Sequence, residues 1–265
     1  MHVEANGANF RLELSGPEDA PAVVLHHPLA TDLTCWDALT RALETTYRVL
    51  RFDARGHGQS EPTPAPYAFP ELAEDVIALM DQVGIAKAHF LGLSMGGMVG
   101  QYLGADHAGR FRALTLASTT SAVPAAAADM WQARIRIARS SGMRGTVESA
   151  LERWATQRAL AADPGLRERL VAYMLATPVE GYCGWCEAIG NLNFTDRVSE
   201  IALPTQVVVG AEDPATPPAS AQIIHKRISG ATYVEVPGVS HMLHLEDPDA
   251  FAAAVVPFID RHRDA

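Results

Sequence analysis

Phe90-Leu91-Gly92-Leu93-Ser94-Met95-Gly96-Gly97 decides how the chain is read. The apolar run from Ala88 to Leu91 before it predicts a buried strand. The run stops at Gly-x-Ser-x-Gly, and a Gly- and Ala-rich helical stretch follows from Met95 to His107. In that order, strand, pentapeptide and helix make the sharp turn that lifts a serine oxygen above a sheet. Such a hydroxyl is a weak nucleophile until a base takes its proton. Side chains at Gly92 and Gly96 would collide with neighbouring backbone. A helix that starts at Met95 aims free N–H groups at whatever is bonded to Ser94. Three fixed positions at a background of roughly 7% each give about 0.1 chance matches in a chain this long. A plain glycine turn therefore stays an alternative until an acid and a histidine follow.

Outward from the pentapeptide, strands and helices alternate. Asn6-Gly7 lies between two short extended segments and predicts a hairpin. Strands are expected at Ala22 to His27, Tyr47 to Phe52 and Ala113 to Ala117, with helices at Trp36 to Leu43 and Pro70 to Val83. From about Ala122 to Asn193 no strand is evident, and helical patterns run over Met130 to Ser140, Thr146 to Ala155 and Gly165 to Ala176. The alternation then resumes with strands at Gln206 to Gly210 and Thr232 to Val236 and helices at Pro218 to Ile228 and Pro248 to Arg261. This is the pattern of an α/β fold: a mostly parallel eight-stranded sheet, helices on both faces and an inserted helical cap. Residues 1–121 and 194–265 form the expected core domain, and 122–193 the cap.

The chain has 265 residues, 48% of them hydrophobic, enough for one large domain with an insertion. Its net charge of −10 argues against nucleic acid and anionic membrane partners. Met1-His2-Val3-Glu4 opens without a basic or apolar leader, no apolar stretch reaches membrane-spanning length, and the three cysteines are an odd number. A cytoplasmic, reducing-compartment protein is expected. It would act on a small molecule, with no membrane partner and with room for homo-oligomers.

An acid and a histidine do follow. After the strand 206–210 comes Gly210-Ala211-Glu212-Asp213-Pro214, at the same sheet edge as Ser94. Glu212 and Asp213 both qualify, and Asp213 is preferred for its Gly-x-x-Asp spacing. The segment Ser118-Thr119-Thr120-Ser121 after the earlier strand holds no acid. After the last strand, Pro237-Gly238-Val239-Ser240-His241 places His241 as general base, with Asp213 to hold its tautomer. Each residue alone reads as a turn or surface group; the order Ser, Asp, His, each after a strand, makes them a triad. An oxyanion hole needs two N–H groups. Met95 supplies one; Leu29 is chosen for the other because Pro28 has none. His26 and His27, adjacent in a strand, point to opposite faces and lack a third ligand, so no metal and no cofactor is expected. His244 reads as structural. Cys183-Gly184-Trp185-Cys186 has redox spacing but reads as cap packing, and Asp53-x-Arg55-Gly56-x-Gly58-x-Ser60 as a turn bracing the site.

On these residues the chain resembles the α/β-hydrolase family over essentially its whole length. More closely, it is similar to the 3-oxoadipate enol-lactonases in Leu29-Ala30-Thr31-Asp32-Leu33 with Trp36, in Arg153-Trp154, and in Glu180-Gly181-Tyr182 with Cys186-Glu187-Ala188-Ile189. Ser240-His241, followed by Glu246 and Pro248, also belongs to the likeness. The resemblance carries the triad onto Ser94, Asp213 and His241, and the oxyanion donors onto Leu29 and Met95. It departs at His27-Pro28 and at Ala30, positions expected to line the acyl pocket.

The reaction implied is hydrolysis of a small lactone or carboxylic ester through an acyl-enzyme. His27, Trp131, Arg134, Trp154 and Trp185 are the expected substrate-binding residues; Arg134, Arg153 and His27 are the cations available to an anionic lactone. The alternatives are a broad aryl or short-chain carboxylesterase, a carbon–carbon hydrolase or perhydrolase, and a binding protein on the same scaffold. A dehalogenase or epoxide hydrolase is excluded because those carry Asp at position 94.

Overall fold

The computed structural model describes residues 1–264. Its strands are β1 His2–Ala5, β2 Ala8–Ser15, β3 Ala22–His26, β4 Arg48–Phe52, β5 Ala88–Leu93, β6 Phe111–Ala117, β7 Thr205–Gly210 and β8 Thr232–Val236. They form one sheet in the order β1-β2-β4-β3-β5-β6-β7-β8. β1 and β2 are a hairpin turned at Asn6 and Gly7, both at positive φ, and β2 runs antiparallel to β4; every other pairing is parallel.

The helices are α1 Asp37–Leu43, α2 Phe69–Gln82, α3 Met95–Asp106, α4 Ala128–Ser141, α5 Val147–Trp154, α6 Gln157–Ala162, α7 Pro164–Ala176, α8 Val179–Gly190, α9 Pro218–Arg227, α10 Leu243–Glu246 and α11 Pro248–Arg261. A 3₁₀ turn, Leu33–Trp36, leads into α1, and the Asp32 side chain caps it by accepting Thr34 N–H. All residues of β3, β5 and β7 are buried, as strands covered on both faces must be. Neighbouring residues of β5 show the two layers. His89 meets Phe258 of α11 edge-on, whereas Phe90 lies against Gly100 of α3.

Between β6 and β7 the chain makes only helices. α6 and α8 are additional to those expected there. The chain leaves and returns at one place: Ala122 bridges Asn193, Val123 N–H donates to Leu192 O at 2.9 Å, and Phe194 N–H donates to Ser121 O at 2.7 Å. Among the described residues no helix is long and apolar enough to cross a membrane.

Candidate active site

Ser94 directly follows β5, Asp213 lies three residues past β7, and His241 lies five past β8, all at the same ends of parallel strands. Ser94 stands at φ 54°, ψ −111°, a backbone position that side chains rarely adopt. Two bonds hold it there: Ser94 N–H donates to Ala117 O at 2.8 Å, and Thr119 Oγ1–H donates to Ser94 O at 2.8 Å. The glycines on either side have no freedom to change. A Cβ on Gly92 would sit 2.2 Å from Gly96 O, and one on Gly96 would sit 2.3 Å from His26 O.

The three side chains meet. Ser94 Oγ–H donates to His241 Nε2 at 2.9 Å, and His241 Nδ1–H donates to Asp213 Oδ2 at 2.9 Å. The carboxylate accepts only, which fixes this tautomer. Asp213 is itself held by four donors: His241, the N–H groups of Ala215 and Thr216 on Oδ1 at 2.8 and 2.9 Å, and Thr216 Oγ1–H on Oδ2 at 2.8 Å. Burial alone would raise the Asp213 pKa; the charge of His241 and these hydrogen bonds outweigh it and hold the carboxyl below its usual range. Ser94, Asp213 and His241 are 8%, 3% and 4% exposed. Glu212, the other acid considered, faces solvent beside Arg158. Thr216 was missed from sequence, although a small hydroxyl residue three positions after a loop aspartate is the signal of a side chain folded back on its own turn.

Met95 is the first residue of α3, so its N–H has no acceptor within the helix. Leu29 lies on the cavity wall beside Ser94. Its loop is laced to the Asp53–Ser60 turn from both sides. His57 Nε2 accepts Ala30 N–H at 3.0 Å, His27 Nε2 accepts Ala54 N–H at 2.9 Å, and Asp53 Oδ1 accepts Leu33 N–H at 2.8 Å. Ala30 lies at φ 56°, the left-handed region where glycine is the usual occupant.

A cavity of about 350 Å³ opens over Ser94 and His241. Pro28 and Leu29, Met98 of α3, Val123 and the Pro214–Pro217 loop form its apolar walls, and Trp131, Arg134, Arg153 and Trp154 enter from α4 and α5. Of the expected substrate-binding residues, Trp131, Arg134 and Trp154 therefore reach it. His27 and Trp185 do not, and that expectation is corrected. The His27 ring is fully buried; its Nδ1–H donates to Pro28 O at 2.8 Å while Nε2 serves Ala54. Trp185 donates Nε1–H to Arg55 O at 2.8 Å and packs edge-on against His26, His57 and Phe69. Ala30, expected to line the acyl pocket, is buried and does not line the cavity, whereas Pro28, expected there too, does.

Arg134 and Arg153 are the cations left in the cavity. Arg134 lies over the Trp131 ring, 4.2 Å from its centroid. Among the described residues neither guanidinium is in contact with a carboxylate, and Glu152 acts on Arg153 only from a distance. Burial first, and the Arg134 charge second, bring Arg153 down to about 10. Two half-buried like charges with no carboxylate in contact are costly unless an anion joins them. Cys183 and Cys186 lie within α8 as buried free thiols, and burial pushes Cys186 up to about 12, which leaves it unreactive.

The sequence model of the alpha/beta hydrolase fold family matches residues 21–248. The chain is 31% identical to 3-oxoadipate enol-lactonase 1 of Acinetobacter baylyi over 98% of its own length and 96% of that protein. It is 34% identical to 3-oxoadipate enol-lactonase 2 of the same organism, over 93% and 91%. The crystal structure of the enol-lactonase from Burkholderia xenovorans superposes with a TM-score of 0.95 at 35% identity, covering 98% of this chain and all of that one. A strand–serine–helix turn, the sheet order around it and near-complete coverage by these relatives agree: the chain belongs to the α/β-hydrolase family.

Proposed function

We propose that this chain hydrolyses a small lactone or carboxylic ester bearing a carboxylate, through an acyl-enzyme on Ser94. The observation that carries the reading is the Ser94–His241–Asp213 line opening into a cavity that holds two unpaired guanidinium groups. The relatives' name supplies the substrate class favoured here, an enol-lactone of 3-oxoadipate, whose second carboxylate stays free once the first has closed the ring. The segment 122–193 is the cap that covers the site.

Ser94 Oγ attacks the carbonyl carbon and passes its proton to His241 Nε2. The carbonyl oxygen becomes an oxyanion and takes the N–H groups of Leu29 and Met95, each worth about 3 kcal/mol of barrier. The ester C–O bond breaks, and the leaving enolate or alkoxide oxygen takes the proton from His241. Water then attacks the acyl carbon, gives a proton to His241, and the acid departs as Ser94 recovers its own. Asp213, ionised and fixed by four donors, stabilises the imidazolium in both halves. Arg153 and Arg134 hold the distal carboxylate, and Trp131 and Trp154 shut out water.

The test is kcat/KM for a carboxylate-bearing lactone and for its neutral methyl-ester analogue in wild type and Arg153→Met. The variant is expected to lose about tenfold or more on the anionic substrate, mainly in KM, as a hydrogen bond to a charged group predicts. The neutral substrate should stay within about twofold, since no charged partner is lost. Equal rates for both substrates in wild type would remove the anionic reading and leave a general esterase.

A further inference from the structure

α5 ends at Arg153 and Trp154 on the cavity wall, and the chain from there to Thr156 runs past the loop that carries His241. Hydrogen bonds strap the two segments together. Met242 N–H donates to Trp154 O at 2.8 Å, and Ser240 Oγ–H donates to Arg153 O at 3.3 Å. Glu246, the last residue of α10, closes the strap. Its Oε1 accepts Ser240 N–H at 2.7 Å, and its Oε2 accepts Thr156 N–H at 2.9 Å and Thr156 Oγ1–H at 2.8 Å. One carboxylate thus holds the residue before His241 with one oxygen and the segment after Arg153 with the other.

All three partners of Glu246 are donors, and its two carboxylate oxygens offer acceptors to both sides. A glutamine of the same size would turn an N–H toward one of them. Such charge-assisted bonds are the stronger kind, and no described cation pairs with Glu246 to compete for its oxygens. The substrate, on the reading above, spans the same two segments: its carbonyl lies at Ser94 and His241, its carboxylate at Arg153. A misplacement of about 1 Å between the two ends can cost on the order of 10²-fold in rate.

We propose that Glu246 is a positioning residue that sets the span between Arg153 and His241, and through it the selectivity for carboxylate-bearing substrates. This rests on Arg153 as the anion's partner. It explains a carboxylate that touches neither the triad nor the cavity yet bonds both flanks of the site.

Steady-state kinetics of Glu246→Gln on the anionic lactone and its neutral analogue tests it. The expected result is a kcat/KM loss about tenfold greater on the anionic substrate, in keeping with one charged hydrogen bond broken. The loss falls in kcat with KM little changed, because the substrate still finds the cation but not the nucleophile. Arg153→Met moves KM instead, which separates holding the anion from placing it. Thr156→Val leaves Glu246 in place but also removes the cap that Thr156 Oγ1 gives to Ala159 N–H at 3.1 Å, so Tm should fall somewhat while the selective loss appears in weaker form. The double variant should lose no more than Glu246→Gln alone, since both cut one strap. Equal losses on both substrates, in step with a lower Tm, would reduce Glu246 to a brace and overturn the proposal. Wild-type preference retained in Glu246→Gln overturns the proposal alone; a wild type indifferent to the carboxylate overturns it together with the reading of Arg153.

Discussion

Ser94 keeps its positive φ because the backbone on both sides is closed against relaxation by Gly92, Gly96 and the Thr119 hydroxyl. That requirement is local, which is why Gly-x-Ser-x-Gly was legible from sequence. The acid was legible only to a choice of two: Glu212 and Asp213 are neighbours, and the Thr216 hydroxyl and two backbone N–H groups gather around Asp213. His27 and Trp185 misled because chain position says nothing of where a ring finds its hydrogen bond; both are taken up by backbone partners. Asp213→Asn should keep the fold but present an N–H to His241 Nδ1 and force the wrong tautomer. Its kcat is expected to fall on the order of 10³–10⁴-fold, measured by steady-state turnover of an aryl ester. Thr216→Val removes one of the donors on Asp213 and should lower kcat by about tenfold in the same assay; an unchanged kcat would show that the backbone donors suffice.

At the scale of elements, the strands and long helices were readable by period, but α8 was not. Eight of its twelve residues are buried, from Gly181 to Cys186 and again at Ala188 and Ile189, so it shows no polar face and no 3.6-residue signal. Its two internal glycines also argue against a helix. The structure supplies the reason for one of them. A Cβ on Gly181 would lie 1.9 Å from Gly56 O, because α8 packs backbone to backbone on the turn that braces the Leu29 loop. Two effects compete in Gly181→Ala. Helix propensity favours alanine by about 1 kcal/mol; overpacking costs about 1–3 kcal/mol. The added Cβ is fixed rigidly to the helix backbone and Gly56 O is itself main chain, so neither can swing aside and the clash wins. Calorimetry should show Tm lowered by several degrees, and a raised Tm would mean that α8 can lift off the turn without loss.

Across the whole molecule, the alternation of strand and helix was plain because burial on both faces demands apolar strands, and the segment 122–193 stood out by lacking them. What no pattern disclosed is how many histidines the core takes in. His26, His27, His57, His89 and His244 are buried, and burial pushes all five below their usual range, His26, His89 and His244 to about 3. The unfolded chain protonates these groups near pH 6.5 while the folded chain does not, so below that pH the unfolded state binds more protons. Each histidine then removes about 1.4 kcal/mol of stability per pH unit. Tm should be nearly flat above pH 7 and fall steeply from pH 6 to pH 4, and a Tm that holds constant to pH 4 would contradict the buried neutral rings. The central claim is the convergence of Ser94, Asp213 and His241 from three strand ends into one nucleophile. Its most direct test is peptide mapping by mass spectrometry of enzyme acid-quenched during the burst with p-nitrophenyl acetate. An acetyl group on Ser94, absent from Ser94→Ala and greatly slowed in His241→Ala, is the predicted result; an adduct on another residue, or an undiminished burst from Ser94→Ala, would contradict it.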